Sequence, residues 1–134
     1  MIETLTIRTK GQGLYEITDK VGDVVQRSGV LDGVCTIFVQ HTSASLLVQE
    51  NADPSARYDL ERWMERFVPE DDERYTHTLE GADDMPAHIR GSLTPISLAI
   101  PICNSRLMLG TWQGVYLWEH RRTGHTRSVV VRAG

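Results

Sequence analysis

The strongest constraint on this chain is a two-residue rhythm. Ile96, Leu98, Ile100 and Ile102 alternate with Ser97, Ala99 and Pro101, the pattern of a strand that lays one face on a core. Pro101 has no backbone donor, which assigns that position to an edge or a bulge. The first residues repeat the rhythm, with Ile2, Leu5 and Ile7 set against Thr4, Thr6 and Arg8. From Trp112 to Glu119 the two faces read Gln113, Val115, Leu117, Glu119 and Trp112, Tyr116, Trp118. Residues 14–17, 45–49 and 127–132 add shorter strand patterns. Val34 to Gln40 is apolar on both faces and rich in β-branched residues, which predicts a strand covered on both sides.

Two stretches break into helical spacing. Val21, Val24, Val25 and Ser28 share a face after Thr18 and Asp19, either of which can cap, and Gly29 ends the element. From Asp53 to Phe67, a capping Asp and Pro54 precede a stripe of Ala56, Leu60, Trp63, Met64 and Phe67. Met85 to Arg90 suits a short third helix. About eight strands with two or three helices predict an α+β, mainly antiparallel β fold built as a two-layer β-sandwich. Neither a repeat nor a long linker divides the chain, so residues 1–134 read as one domain.

Charge narrows the partners. The 134 residues carry a formal charge of -4, yet the stretch from Glu70 to Asp84 holds seven carboxylates and one Arg. The remainder is therefore slightly positive, and no large basic field exists to steer nucleic acid or an anionic membrane. No apolar run approaches the roughly 20 residues of a membrane span, and the first strand does not resemble a signal peptide. Cys35 and Cys103 both lie in apolar stretches without a CxxC motif, which predicts two buried thiols in a reducing cytoplasm. Phosphate loops, dinucleotide-binding glycine motifs and a GxSxG elbow are all absent.

The five histidines are the natural place to seek chemistry. His41, His77 and His88 each stand at a strand end or in a loop beside polar residues, at separations that match no local zinc motif. His77 and His88 bracket Glu80, Asp83 and Asp84, carboxylates able to ligate a metal or orient a histidine. His120 and His125 flank a basic turn. Asn51 and Asp53 read as turn former and helix cap. Glu119 ends a row that contains Val115 and Leu117, and a buried Glu requires a partner: a cation, an Arg such as Arg127, or a metal.

In order along the chain stand GVCTIFVQHTSASLLVQENAD (33–53), His77-Thr78-Leu79-Glu80-Gly81, Ala87-His88-Ile89, and Leu109-Gly110-Thr111-Trp112-Gln113 followed by Glu119. This series resembles the YjbQ-like family, also called the secondary thiamine-phosphate synthase family, over almost the whole chain. The resemblance implies a homotrimer and a His41, His77, His88 cluster near a subunit boundary that holds a divalent metal, zinc or magnesium. It implies condensation of hydroxymethylpyrimidine diphosphate with thiazole phosphate and release of pyrophosphate. Glu80 and Glu119 are then expected to position water or a histidine. Thr42 and Ser43 are expected to donate to phosphate, Trp112 to stack on a heteroaromatic ring, and Glu50, Asn51, Asp53, Thr111 and Gln113 to neighbour the cluster. The family usually carries Asn where this chain has Asp84, a further candidate substrate contact. The alternatives are a metal-dependent hydrolase of another phosphorylated small molecule and a non-catalytic ligand-binding trimer.

Overall fold

The computed structural model describes residues 1–134. The chain runs β1 (Ile2–Arg8), β2 (Gly13–Glu16), α1 (Thr18–Ser28), β3 (Gly33–Val39), β4 (Ala44–Glu50), α2 (Pro54–Phe67), α3 (Asp84–Leu93), β5 (Ser97–Cys103), β6 (Arg106–Leu107), β7 (Gln113–Glu119) and β8 (Thr126–Ala133). Five strands form one antiparallel sheet in the order β1-β8-β3-β5-β6, and β2-β7-β4 form a second. The expected α+β sandwich is what the chain adopts. No helix is long and apolar enough to cross a membrane.

The main core lies between the sheets. Ile7, Cys35, Ile37, Val39, Ile100, Ile102, Val129 and Val131 face Leu46, Val115 and Leu117, and Val21, Val24 and Val25 of α1 pack into the same cluster. Gly29 ends α1 in a left-handed conformation at φ 75°, which a residue without Cβ adopts at little cost. A second, smaller core adds a third layer that the sequence pattern did not separate. Leu14, Tyr116 and Trp118, on the far face of the three-stranded sheet, pack with Met64 and Val68.

Three expectations change. Only Met64 of the α2 stripe is buried, while Trp63 and Phe67 are exposed and stacked, with ring centroids 4.8 Å apart. β3 is covered on one face only, leaving Val34 and Phe38 exposed. Cys35 is buried, and burial pushes its thiol up to about 11, but Cys103 is exposed. A period-two or period-four pattern identifies an apolar face without saying whether the same chain covers it.

Candidate functional site

The site forms where α3 meets the turn after β3. α3 is short, but its first turn carries Asp84 and its second His88, four residues apart and therefore on one face. The helix seats closely because Gly91 lies against the Thr42 carbonyl: a Cβ there would stand 3.1 Å from that oxygen. Buried Arg90 donates from Nη2 to the carbonyl of Val68 at 2.8 Å, tying α3 to the end of α2. His77 arrives from the long segment between the helices.

These three side chains converge. His77 Nε2 is 2.7 Å and His88 Nε2 3.1 Å from Asp84 Oδ2. Their ligand atoms all lie within 4.8 Å of one another. On its other ring nitrogen, His88 Nδ1 stands 3.1 Å from the Thr42 carbonyl. A carbonyl only accepts, so Nδ1 donates to it, and Nε2 is the ring nitrogen turned toward the carboxylate. A carboxylate met by two imidazole nitrogens can hold a cation among them, and orientation by a carbonyl is the usual support of a ligating histidine. The donor set fits a divalent metal.

Arg121 sets the other side of Asp84. Its Nη1 donates to Asp84 Oδ1 at 2.7 Å, its Nε to Asp83 Oδ2 at 2.9 Å, and its Nη2 to the Glu80 carbonyl at 2.9 Å. Burial alone would raise the Asp84 pKa, but the His77 hydrogen bond and the His88 and Arg121 charges outweigh it and hold the carboxyl below its ordinary value. Asp84, only 2% exposed, is thus an anion at the centre of the cluster. Glu80 enters through its backbone, and its side chain is exposed.

His41 departs from the expected three-histidine set. Its Nε2 accepts from the Ser128 amide at 2.8 Å, and its Nδ1 lies 3.4 Å from Arg127 Nη1. Asp84 takes the third place in the ligand cluster. Burial and the Arg127 charge lower the His41 pKa.

Glu119 has the partner its sequence position demanded. It is fully buried, accepts from Thr9 Oγ1 at 2.6 Å, from Arg127 Nε at 2.8 Å and from the Arg121 amide at 3.1 Å, and is also bonded to Arg127 Nη2. Burial opposes its ionisation, but the Arg127 and Thr9 hydrogen bonds prevail and lower its pKa. Enclosed in this way, Glu119 acts on the site by holding Arg127 and the backbone of Arg121. Ser43 Oγ accepts from Arg127 Nη2 at 3.0 Å, and Thr42 contributes its carbonyl.

The remaining candidates lie elsewhere in the chain. Ala44 pairs with Glu119 at one end of the β4/β7 ladder and Glu50 with Gln113 at the other, about 20 Å away at strand rise. At that far end Gln113 Oε1 accepts from the Gly110 amide, Asn51 Nδ2 donates to Glu16, and the Asn51 amide donates to the Trp112 carbonyl. Asp53 caps α2 by accepting from the Ser55 amide at 2.9 Å. Thr111 and Trp112 are exposed there. Within one chain none of these residues joins the histidines.

Arg121, Arg90 and Ser128 were not anticipated. The basic pair Arg121-Arg122 opposite the acidic segment was the available signal for the first, and Arg122 does bind Glu70, with Nε to Oε1 at 2.8 Å. Nothing in the sequence marked Ser128, which contributes only an amide.

Residues 3–133 match the family model described as UPF0047 protein YjbQ-like. The chain is 57% identical over 129 residues to UPF0047 protein sll1880 of Synechocystis sp., covering 96% of this chain and 88% of that one. It is 43% identical to UPF0047 protein YjbQ of Escherichia coli O157:H7, with 96% and 93% covered. A crystal structure of an uncharacterized conserved YjbQ/UPF0047 family protein from Clostridium acetobutylicum superposes with a TM-score of 0.89 at 35% identity, covering 97% and 98% of the two chains.

Proposed function

The chain belongs to the UPF0047 YjbQ-like family, and we propose that it is a metal-dependent transferase of phosphorylated small molecules. The reaction is that of a secondary thiamine-phosphate synthase, joining hydroxymethylpyrimidine diphosphate to thiazole phosphate with loss of pyrophosphate. The observation that supports this reading best is the convergence of His77 Nε2, His88 Nε2 and Asp84 Oδ2. Two imidazoles and a carboxylate suit zinc better than magnesium, which prefers oxygen ligands and retained waters. A divalent cation held there supplies positive charge opposite the departing pyrophosphate.

The chain's own residues do the rest. The Thr42 carbonyl orients His88, and Arg121 fixes Asp84 by Oδ1, leaving Oδ2 toward the histidines. His77 is 45% exposed, so the cluster opens to substrate. A homotrimer accords with the uncovered apolar surfaces. One is a groove of about 310 Å³ that includes Leu60, Trp63, Phe67, Leu93 and Trp118. The other is the Val34 and Phe38 face of β3. Assembly is also how the far-end group of Asn51, Asp53, Thr111, Trp112 and Gln113 would approach another subunit's histidines.

The test is condensation of the two precursors by purified protein, with metal analysis of the same sample. Activity that follows zinc content and disappears in a folded His88→Ala variant is expected. Equal activity in that variant refutes the proposal. The same opening admits water, which favours phosphate-ester hydrolysis as the second reading. A substrate screen with and without chelator separates hydrolase from transferase, and a bound ligand without turnover points to the non-catalytic trimer.

A further inference from the structure

The end of β3 holds polar groups that the metal reading leaves without a task. His41 Nε2 accepts from the Ser128 backbone N–H at 2.8 Å. A ring nitrogen that accepts carries no proton, so the proton of neutral His41 sits on Nδ1. That N–H faces Arg127 Nη1 at 3.4 Å, and a guanidinium nitrogen only donates. Two donors therefore point into one space with no acceptor between them.

Arg127 is committed on its other nitrogens. Nε and Nη2 bind Glu119, and Nη2 also reaches the Ser43 hydroxyl and carbonyl. Its side chain is 4% exposed, and Nη1 has no partner besides His41. His41 is half-buried, so part of the residue reaches the surface beside the enclosed guanidinium. An oxygen about 2.8 Å from both nitrogens accepts from each, and the 3.4 Å separation suits that triangle. Ser43, whose oxygen accepts from Arg127, keeps its own proton free to donate.

We propose that His41 Nδ1 and Arg127 Nη1 form an oxyanion subsite that takes one oxygen of a phosphate group of the substrate. His41 is a phosphate contact here and not a metal ligand. The subsite adjoins the histidine cluster through one residue, since Thr42 follows His41 and its carbonyl holds His88. A phosphate bound there by one oxygen keeps its remaining oxygens for further contacts. A carboxylate offers fewer. Because Glu119 neutralises Arg127, the attraction comes from directed N–H groups more than from net charge. The inference deepens the phosphate-transfer reading, but the geometry of the subsite stands without the metal.

The probe is inorganic phosphate, titrated into chelated and zinc-loaded full-length protein, with acetate as the comparison anion. Nitrogen NMR of the histidine rings is expected to show His41 protonated at Nδ1, with that signal shifting as phosphate is added and much less with acetate. His41→Ala should weaken phosphate binding by about tenfold or more, as expected for a lost hydrogen bond to a charged group. Zinc content should not change. His41→Asn, which returns a side-chain N–H near the Nδ1 position, should recover part of the loss. A proton found on Nε2, equal binding of acetate, or unchanged phosphate affinity in His41→Ala overturns the subsite. If zinc binds and phosphate leaves His41 unperturbed, the subsite fails and the metal reading survives. If no zinc binds but phosphate still shifts His41, the reverse holds.

Discussion

His120 couples acidity to the seating of α3, and the effect is large enough to measure. The residue follows β7, is 1% exposed, and lies 2.8 Å by Nε2 from Ser45 Oγ. Ser45 Oγ is 2.6 Å from Thr94 Oγ1, whose hydroxyl donates to the Arg90 carbonyl at 2.8 Å near the end of α3. Burial, reinforced by the charges of Arg90 and Arg127, pushes the His120 pKa down from 6.5 to about 3. Between those values the unfolded chain takes up a proton that the folded protein refuses. Stability is therefore fully present above about pH 6.5 and declines as pH falls toward 3. Linkage gives a loss of ~2 kcal/mol on going from about pH 7.5 to 5, approaching ~5 kcal/mol near pH 3. The upper part of this window lies above the range where Asp and Glu titrate. Urea unfolding with chelator present, followed by tryptophan fluorescence, reports it directly because the Trp118 ring lies 5.4 Å from the His120 ring. Wild type should lose ~2 kcal/mol more than His120→Gln between those pH values, whatever the variant's absolute stability. Parallel pH profiles for the two proteins would refute the assignment.

Further outcomes test the site and the layers around it. Asp84→Asn removes the charge shared by His77, His88 and Arg121, and should lower zinc affinity by about ten- to a hundredfold in a metal-competition titration; unchanged affinity excludes Asp84 as a ligand. Met64→Ala should cost about 2–5 kcal/mol in chemical denaturation because Met64 fills the second core, whereas the half-buried Leu60→Ala should cost less. Equal losses would mean that the third layer is misread. Phe67→Asp should lower the mass found by light scattering if the Trp63–Phe67 stack is an assembly contact, and an unchanged mass assigns assembly to the β3 face or to none.

The strands and helices were legible because periodicity reports directly on burial by the same chain. The β5 and β7 alternations, the α2 cap at Asp53 and the end of α1 at Gly29 all appear as expected. Coverage by other elements was not legible: the α2 stripe and β3 each present more apolar surface than the chain buries. Among the site residues, His77 and His88 do converge, and the carboxylates around them in sequence were the local signal for it. His41 was grouped with them by its strand-end setting and by the family resemblance. Its neighbour across the sheet is Ser128, 87 positions away, and long-range register decides what a strand-end histidine touches. His120 looked like one half of a pair flanking a basic turn, and the fold buries it while leaving His125 bonded to the turn through the Thr123 carbonyl.

The acidic segment gains a physical meaning from its arginines. Glu70 is matched by Arg122 and Asp72 by Arg74, while Asp83 and Asp84 share the single charge of Arg121. Asp83 and Asp84 therefore share one guanidinium for direct ion pairing, and burying two carboxylates in this way is costly unless a further cation joins them. A divalent cation held by His77, His88 and Asp84, as proposed above, would turn the local charge toward positive. That reversal would let a segment rich in carboxylates receive a phosphate. It also predicts an order of events: inorganic phosphate should bind zinc-loaded protein much more tightly than chelated protein, while acetate should show a smaller difference. If phosphate affinity proves indifferent to zinc, charge reversal by a metal is not how this site accepts its ligand.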